Sequence, residues 1–77
     1  MNPPSENKNI KELGEKIKTI RKKKGLSQEE LANRCDIEIS QISRIERGII
    51  NTSIKNIFLI SKKLGIEVYK LFENKRK

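Results

Sequence analysis

The stretch that decides the fold is Ser27-Gln-Glu-Glu-Leu-Ala-Asn-Arg-Cys-Asp-Ile-Glu-Ile-Ser-Gln-Ile-Ser-Arg-Ile-Glu-Arg-Gly48. Ser27 and Glu30 form a capping-box pattern, which places the start of a helix directly after Ser27. Asp36-Ile-Glu38 interrupts the helical spacing and predicts a turn, after which a second helix runs from about Ile39 to Arg47. The inward positions are Leu31, Ala32 and Cys35 on the first helix and Ile42 and Ile45 on the second. Helices this short do not stand alone, so the pair must pack at a steep angle against each other and against the rest of the chain.

Further helices are predicted on both sides of this pair. A capping pattern at Asn9 begins a first helix that ends at Gly25, and a fourth runs from a cap at Thr52 or Ser53 to Gly65. A short fifth helix spans Glu67 to Phe72. The inward positions are Leu13, Ile17 and Ile20 on the first helix, Ile54, Ile57, Ile60, Ser61 and Leu64 on the fourth, and Leu71 and Phe72 on the fifth. Because no alternating strand pattern exceeds a few residues, the sequence predicts an all-α domain of five helices.

The two ends of the chain read differently from its middle. Residues 1–8 are predicted to be a disordered arm, residues 9–73 a single domain and residues 74–77 a frayed basic tail. The first residues lack the apolar run of a signal peptide, and the longest apolar run, Ile57–Ile60, is too short to cross a bilayer. We therefore expect a cytoplasmic protein that makes no membrane contact.

The composition argues against several classes of function. The 77 residues include no histidine and one cysteine, Cys35, so the usual residues for metal binding, acid–base chemistry and disulfide formation are missing. We expect neither an enzyme nor a metal or cofactor. The net charge of +8, from 18 basic and 10 acidic residues, favours a polyanionic partner.

This charge is unevenly distributed along the chain. Residues 8–24 carry eight basic and two acidic side chains, whereas residues 25–48 carry three basic and five acidic ones. The central helix pair is therefore not itself basic. Attraction to a polyanion must come from flanking lysines such as Lys55, with Lys62 and Lys63 as further candidates.

The central segment also resembles a known family. Ser27-Gln-Glu-Glu-Leu-Ala32, Ile37 and Ile42-Ser-Arg-Ile-Glu-Arg-Gly48 are similar to the Cro/repressor, or XRE, family of helix-turn-helix regulators, and the similarity extends over residues 10–73. The resemblance implies a compact lambda-repressor-like domain. In that fold the second helix of the pair enters the major groove of double-stranded DNA.

The resemblance assigns roles to individual residues. It implies base contacts for Ile39, Ser40 and Arg44, to which we add Glu38 as a candidate. It implies backbone contacts for Ser27, Gln28, Ser43, Arg47 and Asn51, to which the charge distribution adds Lys55. Gln28 is equally compatible with a merely exposed side chain. It also implies that Arg21 and Glu46 form a partly buried structural ion pair between the first and third helices. Cys35 is expected to be a small buried hydrophobe.

Three residues depart from the family pattern, of which Thr52, in place of a frequent proline, matters little. Glu38 stands where a serine or threonine usually caps the reading helix, and its carboxylate either weakens binding by facing phosphates or accepts a hydrogen bond from a cytosine amino group. Ile39 stands where a polar residue is common. It is expected to contact a thymine methyl group.

Together these features predict a sequence-specific transcriptional regulator, specifically a repressor that binds a near-palindromic operator as a homodimer. Leu59, Val68 and Tyr69 lie off the core positions and are assigned to the two-fold interface, although scattered surface apolar residues would give the same pattern. No small-molecule ligand is expected. The settings considered are a restriction-modification controller, a phage or mobile-element repressor and an antitoxin. A protein-interaction module on the same fold, with weak or lost DNA binding, is the alternative.

Overall fold

The computed structural model describes the backbone of residues 4–49 and 52–72 and the side chains of residues 9–49 and 52–72. In order, the elements are α1 (Pro4–Lys23), α2 (Gln28–Cys35), α3 (Ile39–Glu46), α4 (Ile54–Leu64) and a 3₁₀ helix (Val68–Phe72). The described ranges contain no strand, so the all-α class is confirmed. The short fifth helix expected at this place is a 3₁₀ helix, because it closes with a three-residue hydrogen bond from the Lys70 amide to the Glu67 carbonyl.

Helix α1 begins earlier than its sequence pattern suggests. The predicted start at Asn9 is wrong, since the helix already begins at Pro4. Proline suits the first helical position because its ring fixes φ and its missing N–H has no partner to lose there. The predicted arm, residues 1–8, therefore overlaps α1, while residues 1–3 and the tail 73–77 lie outside the described residues. The division of the chain into arm, domain and tail stays a prediction.

Helix α2 is capped at both ends. The Glu30 amide donates to the Ser27 hydroxyl over 3.0 Å and the Ser27 amide donates to the Glu30 carboxylate over 2.8 Å, so the predicted capping box is confirmed. Asp36 ends the helix in the left-handed conformation, with φ of 58°. Its amide returns to the carbonyls of Ala32 and Asn33.

The core lies between the four helices. It contains the predicted inward residues of the central pair and is made of Ile17, Leu31, Ala32, Cys35, Ile42, Ile45, Ile57, Ile60, Leu64 and Leu71. Two predictions of burial are wrong, since Ile54 is 66% exposed and Phe72 is 59% exposed. Ile54 is the first residue of α4 and projects one turn beyond the apolar stripe. In a 3₁₀ helix neighbouring residues point about 120° apart, so Leu71 and Phe72 do not share a face.

Helix α2 packs against both α3 and α4, and α1 packs against α3. The approach of α1 to α3 requires Gly14, because a Cβ there would lie 2.9 Å from the Glu46 carbonyl oxygen and closer still to that of Ile45. This contact seats the end of α3 on α1. None of the helices in the described ranges is long and apolar enough to span a membrane.

Candidate DNA-binding surface

Helix α3 presents one continuous outward face. Ser40, Arg44 and Arg47 are exposed and Ser43 is half-buried, and these residues recur at the three- and four-residue spacing of a helix face. Ile42 and Ile45 turn the opposite face into the core. A helix of eight residues is about 12 Å long, so this face matches the contact length of a single major-groove helix.

The two arginines on this face differ in whether their guanidinium groups are already hydrogen-bonded. Arg47 Nε donates to the Ser43 carbonyl over 3.4 Å, which keeps its guanidinium along the helix. The Arg44 guanidinium makes no hydrogen bond or ion pair within the described part of the chain. Within the described residues, Arg44 therefore has all of its donors available for a ligand.

The start of α3 has a different character. Glu38 is exposed, occupies the N-cap position and makes no side-chain capping bond, and Ile39 beside it is 46% exposed. A cleft of about 570 Å³ between α2 and α3 opens next to these two residues. Its lining contains the carboxylates of Glu29, Asp36 and Glu38. The amino end of α3 thus combines free backbone donors with an acidic margin.

The other end of α3 is held by a buried network. Arg21 Nε donates to Glu46 Oε2 over 2.6 Å and Arg21 Nη2 donates to Glu46 Oε1 over 3.0 Å. Arg21 Nη1 also donates to the Leu26 carbonyl over 2.7 Å. Arg21 and Glu46 are 6% and 4% exposed, so the pair expected from the family resemblance is a bidentate, largely desolvated ion pair that joins α1 to α3.

Gln28 joins the same network. Its Nε2 donates to Glu46 Oε1 over 2.9 Å, which brings the first residue of α2 to the last residue of α3. The residues assigned to backbone contacts at the start of α2 and the end of α3 therefore share one end of the surface. The hydroxyl oxygen of Ser27 already serves the capping box, so its hydroxyl hydrogen and the first amides of α2 remain to donate to a phosphate.

The remaining assigned residues lie around this surface or outside the described part. Lys55 is exposed on the first turn of α4, where a cation has open access to solvent. Asn51 lies outside the described residues. The base and backbone roles of these side chains stay predictions.

The family of the chain is shown by a family model that matches most of the fold just described. A family model described as helix-turn-helix (HTH_3) matches residues 17–71. The chain belongs to this helix-turn-helix family. The matched range begins within α1 and contains α2, α3 and α4, so it covers the whole of the surface described above.

Two curated relatives of this helix-turn-helix chain are control proteins. The control protein C.BamHI of Bacillus amyloliquefaciens is 48% identical over 56 residues, which cover 71% of this chain and 69% of that protein. The control protein C.MunI of Mycoplasma sp is 42% identical over 63 residues, covering 80% and 85% respectively.

Two solved structures share the helix-turn-helix fold. The restriction-modification controller protein C.AhdI from Aeromonas hydrophila has a TM-score of 0.80 and 36% identity, with coverage of 82% of this chain and 96% of that one. The biofilm master regulator SinR, solved in complex with DNA, has a TM-score of 0.75 and 37% identity, with coverage of 79% and 98%.

The residues assigned to a dimer interface are only partly placed on the surface. Leu59 and Val68 are half-buried and pack against the core, whereas Tyr69 is 59% exposed. The sequence pattern placed Ile54 in the core and did not assign Phe58 to the interface, yet both are exposed on α4. Their four-residue spacing was the available signal, because it puts two large apolar side chains on one face of the helix-turn-helix domain's fourth helix.

Proposed function

We propose that this chain is a sequence-specific, double-stranded DNA-binding regulator of transcription that represses by occupying a near-palindromic operator. The observation that carries this proposal is the outward face of α3, on which the Arg44 guanidinium is exposed and unpaired within the described residues. An arginine on a major-groove helix pairs bidentately with the O6 and N7 atoms of guanine. Ser40 and Ile39 extend this reading toward the start of the helix.

The assignment to a restriction-modification setting rests on the relatives. C.BamHI and C.MunI are both named control proteins, and C.AhdI is named a restriction-modification controller. The chain spans most of the length of each, so a comparable role requires no domain beyond the one described. A module that has lost DNA binding is not favoured, because the reading face keeps its free arginine and SinR, which shares the fold, was solved with DNA.

A homodimer is the second part of the proposal. One α3 reads only a few base pairs, so two copies about 34 Å apart supply the length of an operator. The surface we assign to the two-fold contact consists of Ile54 and Phe58 on α4 and Tyr69 on the adjacent 3₁₀ helix. These three large side chains are exposed, and burying apolar surface of this kind stabilises a symmetric contact.

The decisive experiment is selection of bound duplexes from a random pool, followed by anisotropy titration of the selected site. Arg44→Ala is expected to weaken binding by ~1–3 kcal/mol and to relax the preference at one position of each half-site. The matched control is Arg34→Ala, which removes the same charge from α2 outside the reading face. It is expected to leave the preference unchanged. Retention of affinity and preference by Arg44→Ala would show that the reading face is misplaced.

A further inference from the structure

A second charged surface lies away from the reading helix. Cationic side chains surround a groove of about 300 Å³ between the end of α1, α2 and the end of α4. Its lining residues are Lys24, Leu26, Arg34, Lys62, Lys63, Leu64 and Gly65. None of them belongs to α3 and none is acidic. We call this surface the basic groove.

Gly65 shapes the floor of the basic groove. It ends α4 in the left-handed conformation, with φ of 74°, and the Lys24 ammonium lies 3.8 Å from the position that a Cβ would occupy there. A cation from the end of α1 therefore lies beside the end of α4. Lys62 and Lys63 occupy the last turn of α4, so three of the lysines that line the groove belong to or lie beside one helix end.

These charges are not paired with carboxylates of the described residues. None of the four cationic side chains forms an ion pair within the described residues. Arg34 lies close enough to Glu30 to help lower the pKa of that carboxyl, but the larger cause is the hydrogen bond that Glu30 accepts from the Ser27 amide. Lys63 is also near Cys35, where its charge offsets part of the rise in the thiol pKa that burial causes. The ends of helices α2 and α4 attract cations through their dipoles, but a dipole end amounts to about half a charge, against four full charges here.

We propose that the basic groove binds an oligophosphate, either free or as the tail of a nucleotide. A single phosphate group carries about −1.5 to −2 charges at neutral pH, so at least two linked groups are needed to match four cations. The volume is about ten times the ~30 Å³ that one water occupies in the liquid, which leaves room for several phosphate groups. Leu26 and Leu64 complete a partly apolar wall.

The position of the basic groove favours a small anion over the duplex that α3 reads. Helix α2 packs against both α3 and α4, and the residues that line the basic groove all lie outside α3. The groove is therefore separate from the residues of the reading face. This inference does not rest on the proposed function, and its test uses no DNA in the primary measurement.

The test is the thermal unfolding midpoint of the full chain with and without inorganic tripolyphosphate. The variant is Lys62→Gln/Lys63→Gln, and the matched control is Lys22→Gln/Lys23→Gln, which removes the same charge from the last turn of α1 outside the groove. Tripolyphosphate at roughly five times its dissociation constant is expected to raise the midpoint of the natural chain and the control by about 4–8 °C. The groove variant is expected to lose most of this shift.

Titration calorimetry with tripolyphosphate and with ATP distinguishes the two sources of the phosphates. Equal affinities assign recognition to the phosphates alone, and tighter binding of ATP assigns it to a nucleotide. The proposal is overturned if tripolyphosphate leaves the natural chain unchanged, or if both double variants lose the shift equally, since net charge would then be the cause. It is also overturned if the groove variant loses duplex affinity and salt dependence more than the control, because the groove would then belong to the duplex interface.

Discussion

Helices α2 and α3 have the same length but differ in how their two ends are stabilised. Both contain eight residues, but α2 begins with a reciprocal capping box and ends at Asp36 in the left-handed conformation. Helix α3 begins at Glu38 without a side-chain capping bond and ends at Arg47 in the right-handed one. Helix α2 satisfies its ends locally, whereas α3 depends on contacts made by Ile42, Ile45 and Glu46. This dependence leaves the first turn and the outer face of α3 open to a partner.

Removing the tertiary anchor of α3 is expected to have the largest effect. Glu46→Ala leaves the Arg21 guanidinium buried without its carboxylate, which should lower the free energy of unfolding by ~3–5 kcal/mol. Urea unfolding followed by circular dichroism measures this change. The control Gln28→Ala removes one hydrogen bond from the same carboxylate and should cost ~1 kcal/mol. Equal losses in the two variants would contradict the assignment of the anchor to Arg21.

Disrupting the packing of α3 against α1 at Gly14 is expected to have the next largest effect. Gly14→Ala places a methyl group against the carbonyls of Ile45 and Glu46, so the end of α3 must move away. Overpacking of this kind should lower the free energy of unfolding by ~1–3 kcal/mol. Gly25→Ala provides a contrast, because its strain comes from a positive φ with no atom within 4 Å of the added Cβ. If the α1–α3 contact matters, Gly14→Ala alone should also weaken duplex binding in an anisotropy titration.

The two N-caps give a smaller and directly matched comparison. Ser27→Ala should lower the free energy of unfolding by ~1 kcal/mol, because the Glu30 amide loses its acceptor. Glu38→Ala should change it by only ~0.3 kcal/mol, through the loss of a charge near the helix dipole. Urea unfolding of both variants in the same buffer measures the difference. A larger loss for Glu38→Ala would reveal a cap on α3 that the structure does not show.

The smallest expected effect is the loss of stability at low pH that comes from Glu30. The hydrogen bond from the Ser27 amide, with help from the Ser27 hydroxyl and Arg34, holds the pKa of Glu30 below its ordinary value of 4.5. The stabilisation by this carboxylate is therefore complete above pH 4.5 and disappears as the pH falls through the lowered pKa. Glu30→Gln keeps a capping amide that does not titrate. On acidification the free energy of unfolding of the natural chain should therefore fall relative to that of Glu30→Gln. A difference that does not change with pH would contradict a stabilising role of the Glu30 carboxylate in the capping box.

Local patterns predicted the parts of this fold that local physics controls. The Ser27 and Glu30 box, the turn at Asp36 and the burial of Cys35 follow from spacing within one or two helical turns, and the structure contains all three. The exposure of Ile54 did not follow. Its spacing fits the apolar stripe of α4, and only the position of the neighbouring helices shows that the buried part of the stripe begins one turn later, at Ile57.

The surface was less predictable because its contacts join distant parts of the chain. The bond between Gln28 and Glu46 spans 18 residues, so nothing near Gln28 indicates that its amide serves a buried carboxylate. The basic groove draws its cations from Lys24, Arg34 and the pair at the end of α4. These lie on separate segments, and each alone reads as a solvated helix end.

The burial of Cys35 also provides a probe of the local opening of α2. A thiol reacts as the thiolate, and here burial both shields the sulfur and raises its pKa. A soluble thiol reagent can therefore label Cys35 only while α2 is separated from the core. Because the chain contains one cysteine, the labelling rate counts these local openings without an engineered probe. A ligand that stabilises the closed domain, whether DNA or an oligophosphate, would then slow the labelling of Cys35 without contacting it.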